Sequence, residues 1–190
     1  YFRGMTEEET AILTDIMQHS GDVLQYDDVS GYWHCSWVGD YSSYEVHHDK
    51  SFDYILKENG EAVLVKYTGY NPYIVLPEEV GYPDINYGVV TEIGSGAFTD
   101  TNVTKVILSN TIKRIGNYAF KNCSTLTSIE IPDSVQEIGN GAFYLCSALE
   151  TITLPESITQ IGPKAFKSCH ALKTINWPSQ VKYVPADAFI

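Results

Sequence analysis

The sequence predicts a solenoid of the α/β type, made of coils of about 23 residues with short strands and short helical turns. Three observations predict it. One phrase recurs: Ile93-Gly94-Ser95-Gly96-Ala97-Phe98, Ile115-Gly116-Asn117-Tyr118-Ala119-Phe120, Ile138-Gly139-Asn140-Gly141-Ala142-Phe143 and Ile161-Gly162-Pro163-Lys164-Ala165-Phe166, with a weaker copy from Val184 to Phe189. Its phenylalanines step by 22, 23, 23 and 23 residues. Cys123, Cys146 and Cys169 fall at one place in three successive units. A unit this short cannot bury its apolar face alone, so stacked neighbours must share one core.

Composition limits the function classes. The chain has 190 residues and 44% apolar content, enough for one core. No apolar run approaches the ~18 residues that would cross a bilayer, so no membrane insertion is expected. The net charge of −12 sits in the N-terminal half, where residues 1–92 carry 17 acidic against 4 basic side chains. Residues 93–190 carry 7 against 8. Nucleic acid rewards clustered Lys and Arg, so it is not an expected partner. The chain opens Tyr1-Phe2-Arg3-Gly4 without an initiator Met, which predicts a piece of a longer protein. The repeated cysteines are expected to stack as small apolar side chains, and their number does not decide the compartment.

Residues 1–52 form an N-terminal helix plus an aromatic-rich cap or small subdomain in this reading. Thr6-Glu7-Glu8-Glu9 has the capping-box pattern, and Ile12, Leu13, Ile16 and Met17 follow at helical spacing. Ser20-Gly21 stops the helix, which runs from about residue 7 to 19. Gly31 to Val38 alternates as a strand, and Tyr44 to His47 returns as a second one. The expected result is an aromatic β-hairpin cap over the solenoid end. Trp33 and Trp37 also offer flat, amphipathic area on which a glycan could stack. His34, Cys35, His47 and His48 contain metal-competent atoms, but two adjacent pairs are awkward for joint coordination. Asp22 to Asp28 fall short of a calcium loop. No metal or cofactor is expected.

Residues 53–190 are the solenoid. An opening hairpin spans 53–67, because Asn59-Gly60 lies between two apolar runs. An irregular first coil spans 71–102. Tyr73-Ile74-Val75-Leu76-Pro77 matches the strand of later repeats, but 16 residues separate Pro77 from Ile93, against 6 between Pro132 and Ile138. The excess, residues 81–88, reads as an exposed loop, and its Tyr82, Asp84 and Tyr87 are binding candidates. Regular coils follow at 103–125, 126–148, 149–171 and 172–190. The repeat reads Leu-x-x-Ile-x-Ile-Pro-x-x-Val-x-x-Ile-Gly-x-x-Ala-Phe-x-x-Cys, with Ser109 replacing Pro in the 103–125 coil. The Ile-x-Ile part predicts a strand, which Pro132, Pro155 and Pro178 end. Gly116, Gly139 and Gly162 mark turns expected at positive φ, and Ala-Phe-x-x-Cys is expected to make a short helical turn. The fifth coil departs with Val184-Pro185, since proline cannot take positive φ. An apolar end left uncovered there would favour end-to-end pairing of two copies.

The 23-residue Ile-Gly-x-x-Ala-Phe-x-x-Cys unit strongly resembles the BspA-type leucine-rich repeat of bacterial and some protist surface proteins. The resemblance covers residues 53–190 and implies an extracellular or cell-surface protein that binds host proteins, matrix or other cells. It brings no catalytic residues. In leucine-rich repeats the strand side chains between core positions face outward on the concave side. Here those columns are Thr104, Thr127, Glu150 and Lys173; then Lys105, Ser128, Thr151 and Thr174; then Ile107, Glu130, Thr153 and Asn176. They are mostly small and polar, which suits a shallow surface for an extracellular protein or a glycan. Thr also fits a solvated strand by propensity alone. The expected function is therefore a non-catalytic, adhesin-like binding module. The alternatives are a targeting module of a larger secreted enzyme that touches glycan through its aromatic N-terminal part, and an enzyme using Cys35 with His47 or His48.

Overall fold

The computed structural model describes residues 23–27, 32–36, 45–49, 51–82, 85–185 and 187–189. The helix expected over residues 7–19 lies outside them, as do Trp37 and Asp84. The first part holds β1 (Val23–Asp27), β2 (Tyr32–Ser36), β3 (Val46–Asp49), β4 (Phe52–Leu56), β5 (Glu61–Tyr67), β6 (Tyr73–Val75), β7 (Glu79–Tyr82) and β8 (Ile85–Ile93). Regular coils then add pairs of short strands: β9 (Lys105–Ile107) and β10 (Arg114–Ile115), β11 (Ser128–Glu130) and β12 (Glu137–Ile138), β13 (Thr151–Thr153) and β14 (Gln160–Ile161). The last coil contributes β15 (Thr174–Ile175).

Two parallel stacks follow from this order. The Ile-x-Ile strands line up as β6-β9-β11-β13-β15, and Val106, Ile129 and Ile152 stay in register behind them. The strands before each Ile-Gly line up as β5-β8-β10-β12-β14, continued by β4 and β3 in antiparallel pairing. The core lies between the two sheets and the turns.

A column of rings runs along that core. Phe98, Phe120, Phe143 and Phe166 are all but fully buried. Successive centroids are 4.9, 5.4 and 5.5 Å apart with interplanar angles of 18°, 0° and 3°. Tyr67 continues the stack at one end at 5.3 Å, and Phe189 at the other at 5.7 Å. Burying each ring stabilises the chain by roughly 1.5–3 kcal/mol, and the stacking contact adds to that. The thiols of Cys123, Cys146 and Cys169 stand beside the rings and donate to the carbonyls of Phe98, Phe120 and Phe143 at 3.0, 3.0 and 3.1 Å. Thr101 occupies the missing first cysteine position and donates to Phe98 O at 2.8 Å.

The Ala-Phe-x-x-Cys stretch is not helical, and no helix occurs among the described residues. It is a chain of reverse turns, such as Lys121 N to Tyr118 O at 2.9 Å and Cys123 N to Phe120 O at 3.2 Å. Between these bonds, alternate amides reach the next coil: Tyr118 N to Asn140 O, Phe120 N to Ala142 O and Asn122 N to Tyr144 O, at 2.7–2.8 Å. A helix would turn every amide along its own axis. Here left-handed residues redirect them, with φ of 53° at Tyr118, 57° at Asn122, 63° at Leu145, 59° at Lys164 and 62° at Ser168. The stacked turns make a third hydrogen-bonded side that outweighs the cost of placing such side chains at positive φ.

Positive φ therefore does not belong to Gly116, Gly139 and Gly162, where the sequence reading placed it. It occurs two residues later, at Gly96, Tyr118, Gly141 and Lys164. The repeated glycines are needed because the backbone of the preceding coil lies too close for a side chain. An added Cβ would meet Ile93 O at 2.7 Å from Gly116, Asn117 N at 2.7 Å from Gly139 and Asn140 N at 2.5 Å from Gly162. The fifth coil has Pro185 at this place, with a Cβ and no N–H, and its Val184-Pro185 pair adds no strand beyond β14.

Proline also explains an orphaned acceptor. Asn117 Oδ1 accepts from Asn140 N at 2.9 Å. One coil on, Asn140 Oδ1 is buried without a partner, because the residue that should donate is Pro163. Pro163→Asn is expected to stabilise the chain by about 1 kcal/mol. A restored acceptor is worth ~1–3 kcal/mol, less ~0.4–1 for the freedom returned to the unfolded chain. The check is a higher denaturant midpoint at unchanged slope.

The N-terminal part departs further from expectation. β2 pairs antiparallel with β1, Trp33 opposite Tyr26, instead of with the 44–47 segment. That segment enters β3, which pairs with β4 and joins the large sheet. Residues 81–88 are largely strand rather than an exposed loop: β7 pairs with the first half of β8, and the second half of β8 continues into the parallel stack. Gly88 is buried there, where a Cβ would stand 2.5 Å from Leu56 Cδ2. β4 and β5 pair antiparallel across the Asn59-Gly60 turn. Gly60 N donates to Lys57 O at 3.0 Å, Lys57 N donates to Glu61 O at 2.8 Å, and Gly60 sits at φ 78°.

Candidate functional site

The β6-β9-β11-β13-β15 sheet sets strand residues of successive coils in register. Lys105, Ser128, Thr151 and Thr174 are successive partners, as are Ile107, Glu130 and Thr153. Not all of these side chains are available to a partner. Thr104 donates to Pro72 O at 3.1 Å and Thr127 to Thr104 O at 3.0 Å, so their hydroxyls serve the backbone of the preceding coil. Asn176 stands where β15 stops. Its amide donates to Leu154 O at 2.6 Å and accepts from Leu154 N at 2.9 Å, replacing two ladder bonds.

What remains is a shallow depression of about 400 Å³ lined by Ser128, Ile129, Glu130, Ile131, Thr151 and Thr153. Charge at its borders is internally balanced. Lys105 Nζ lies 2.7 Å from Glu130, whose hydrogen bond holds the ammonium above its ordinary pKa. Lys173 Nζ lies 2.8 Å from Glu150, and that bond holds the carboxyl below its ordinary value. These pairs are exposed, so they orient the side chains more than they stabilise the fold.

Two residues extend the face and were missed as candidates. Tyr73 pairs with Lys105 and Val75 with Ile107, and they are 46% and 60% exposed. Lys105 Nζ stands 5.8 Å from the Tyr73 ring centroid. Since Tyr73-Ile74-Val75 already matched the repeat strand, extending both columns by one coil would have found them.

The opposite sheet holds a second charged group. Glu92 is buried, with Lys57 Nζ at 3.2 Å and Arg114 bonded to its other oxygen. Arg114 also reaches Glu137 at 3.2 Å. Burial works against the Arg114 charge, but the two carboxylates outweigh it and raise its pKa. Lys113 pairs with Glu61 in the next row. The signal was periodic: Glu92, Arg114, Glu137 and Gln160 all precede the Ile of Ile-Gly and pair in register. Every member of this network has a partner within the protein, so its role is to hold the sheet together.

The other candidates do not join the strand face. Tyr87 lies on β8 in the other sheet, is exposed, and bonds to Glu79, which raises its phenol pKa. Tyr82 ends β7, and Trp33 lies on β2. His47 packs at 5.4 Å against the Tyr54 ring, and burial lowers its pKa. His48 is held by Asp53 at 2.7 Å. Cys35 lies on β2, opposite Leu24. Burial pushes the Cys169 thiol up to about 12, and a hydrogen bond with Cys123 together with burial raises Cys146. These two thiols stay protonated at neutral pH, whereas nucleophilic or metal-binding sulfur must be a thiolate. Among the described residues no helix is long and apolar enough to cross a membrane.

The signature of the BspA type leucine rich repeat region matches six copies over residues 91–190. No curated protein is significantly similar to the chain in sequence. Among solved structures, the T. pallidum leucine rich repeat protein TpLRR superimposes with a TM-score of 0.68 at 30% identity, over 75% of this chain and 65% of that one. A leucine-rich repeat protein from Bacteroides capillosus gives 0.61 at 26% identity, over 68% of this chain and 96% of its own. A leucine rich cell surface protein from Faecalibacterium prausnitzii gives 0.50 at 23% identity, over 77% and 57%.

Proposed function

The chain belongs to the BspA-type leucine-rich repeat family, and from that premise we propose that it is a non-catalytic, adhesin-like binding module of an extracellular or cell-surface bacterial protein. The partner is an extracellular protein, bound on the outer face of β6, β9, β11 and β13. The observation that carries this reading is the depression at Ser128, Glu130, Thr151 and Thr153, on the same sheet face as exposed Tyr73 and Val75 and separated from them by β9. Protein interfaces combine exposed aromatic and apolar side chains with polar groups, and this face offers both, Tyr73 and Val75 at the β6 edge and the polar depression on β11 and β13. The cell-surface assignment draws on the resemblance of the repeat and on the description of the Faecalibacterium prausnitzii protein, whose likeness carries the fold.

The test is binding of the whole chain to immobilised matrix proteins and to glycans, with Tyr73→Ala and Thr153→Arg on the proposed face and Thr159→Arg outside it. The first two are expected to weaken protein binding more than about tenfold, or ~1.4 kcal/mol, while Thr159→Arg leaves it unchanged. Protein binding that survives both face variants, with folding intact, overturns the proposal. Glycan binding lost in Trp33→Ala with Trp37→Ala would move the function to the aromatic N-terminal part.

A further inference from the structure

The chain contains two Asn-Gly pairs, and they sit in opposite surroundings. Asn59-Gly60 is the exposed tip of the opening hairpin. Asn59 Oδ1 accepts from Glu61 N at 3.1 Å, and the space beside Gly60 is open, with nothing within 4 Å of a Cβ built there. Asn140-Gly141 is packed between coils. Gly141 N is held by Pro163 O at 2.9 Å, the Tyr118 ring covers Gly141, and Asn140 Oδ1 is buried without a donor.

We propose that Asn59 is a site of spontaneous self-modification, in which the Gly60 amide nitrogen closes on the Asn59 side chain while Asn140 is protected by the fold. The Gly60 N–H leaves its bond to Lys57 O and gives its proton to solvent base, and the nitrogen lone pair forms a bond to Asn59 Cγ. Nδ2 takes a proton from solvent, the Cγ–Nδ2 bond breaks, ammonia leaves, and a five-membered imide remains. Water opens the imide at either carbonyl, leaving an aspartate or its β-linked isomer at position 59. No oxidant or enzyme is required.

Three features of the hairpin favour the first step. Glycine puts no side chain in the path of the attacking nitrogen. The bond from Glu61 N polarises the Asn59 carbonyl and is already aimed at the oxygen that becomes an oxyanion. The tip is open to water and base. At Asn140 the glycine is shared but the surroundings differ: the oxygen has no donor, Tyr118 closes the approach, and the Gly141 nitrogen is bonded to the neighbouring coil, whereas the Gly60 N to Lys57 O bond is local to the exposed turn.

The product changes the start of the solenoid. A new carboxylate appears between Glu58 and Glu61 and competes for Lys113, now bonded to Glu61. The β-linked isomer also lengthens the main chain inside a turn closed by the Gly60 N to Lys57 O and Lys57 N to Glu61 O bonds. The modification therefore loosens the hairpin that starts the sheet.

The experiment is incubation of the folded chain at mildly alkaline pH, followed by peptide mapping for amide-to-carboxyl exchange and by hydroxylamine cleavage, which cuts at the imide. Conversion at Asn59 is expected to outrun that at Asn140 by more than about tenfold, a barrier difference of ~1.4 kcal/mol. In denaturant the two sites should convert at similar rates, and Asn59→Gln should abolish the reaction at that site. Equal conversion of both sites in the folded chain, or conversion of Asn59 in denaturant alone, overturns the proposal.

Discussion

Phe143→Ala is expected to destabilise the chain by about 4 kcal/mol, within the usual range for deleting a buried ring. Phe143 is fully buried and stacks on Phe120 and Phe166 at 5.4 and 5.5 Å with nearly parallel planes. Its removal leaves a cavity that two neighbouring coils share. A solenoid has only nearest-neighbour contacts to hold its coils together, so a weak point in the middle uncouples both sides. Against a typical domain stability of roughly 5–15 kcal/mol, the loss should divide one denaturation transition into two. Phe189, at the end of the stack, is 41% exposed and has one phenylalanine neighbour. Phe189→Ala should cost distinctly less and leave the transition single. The measurement is urea unfolding followed by circular dichroism and tyrosine fluorescence. Equal costs for the two variants would show that the ring column does not couple the coils.

The column was legible because its signal is redundant. Phe98, Phe120, Phe143, Phe166 and Phe189 repeat at nearly constant spacing, and so do the strand and cysteine positions beside them. The same regularity gave the register of the strand face. It could not say which face residues were already committed, because Thr127 and Asn176 read as ordinary exposed polar residues and are tied down only by carbonyls and amides one coil away. The helical turn was misread for a related reason. Asn122, Leu145 and Ser168 share no chemistry that announces positive φ, so the left-handed conformation is imposed by stacking and not by local preference. Residues 81–88 look like a loop by their Gly, Pro and Asp content, yet Val80, Gly88 and Val90 bury against the sheet. Where the repeat is broken, tertiary packing decides, and a single sequence carries little record of it.

Gly139→Ala is expected to cost about 3 kcal/mol, at the upper end of ordinary overpacking. Gly139 is not in the left-handed region, so alanine can adopt its backbone conformation. The obstacle is the neighbouring coil: the new Cβ would meet Asn117 N, Asn117 Oδ1 and Gly116 C, all at 2.7 Å. Two of these are main-chain atoms, held where they are by Gly116 N to Ile93 O at 2.7 Å and Gly139 N to Ile115 O at 2.8 Å. The coils must separate or the ladder must break. Gly60→Ala supplies the contrast, because Gly60 has φ of 78° and open space around it. Its cost should be the ~1–2 kcal/mol of left-handed strain alone. If conformational freedom were the reason for the repeated glycine, Gly60→Ala would be the more damaging change. If close approach is the reason, Gly139→Ala is, and hydrogen exchange should quicken at the Gly139 and Gly162 amides while the strand-face sheet keeps its protection. The native fifth coil shows the same effect: with Pro185 in place of glycine, the sheet stops at β14 while the turn ladder still reaches it through Phe166 N to Ala188 O at 2.9 Å. The glycine thus sets how closely two coils approach on one side of the solenoid, and the strand face on the other side keeps its spacing independently of it.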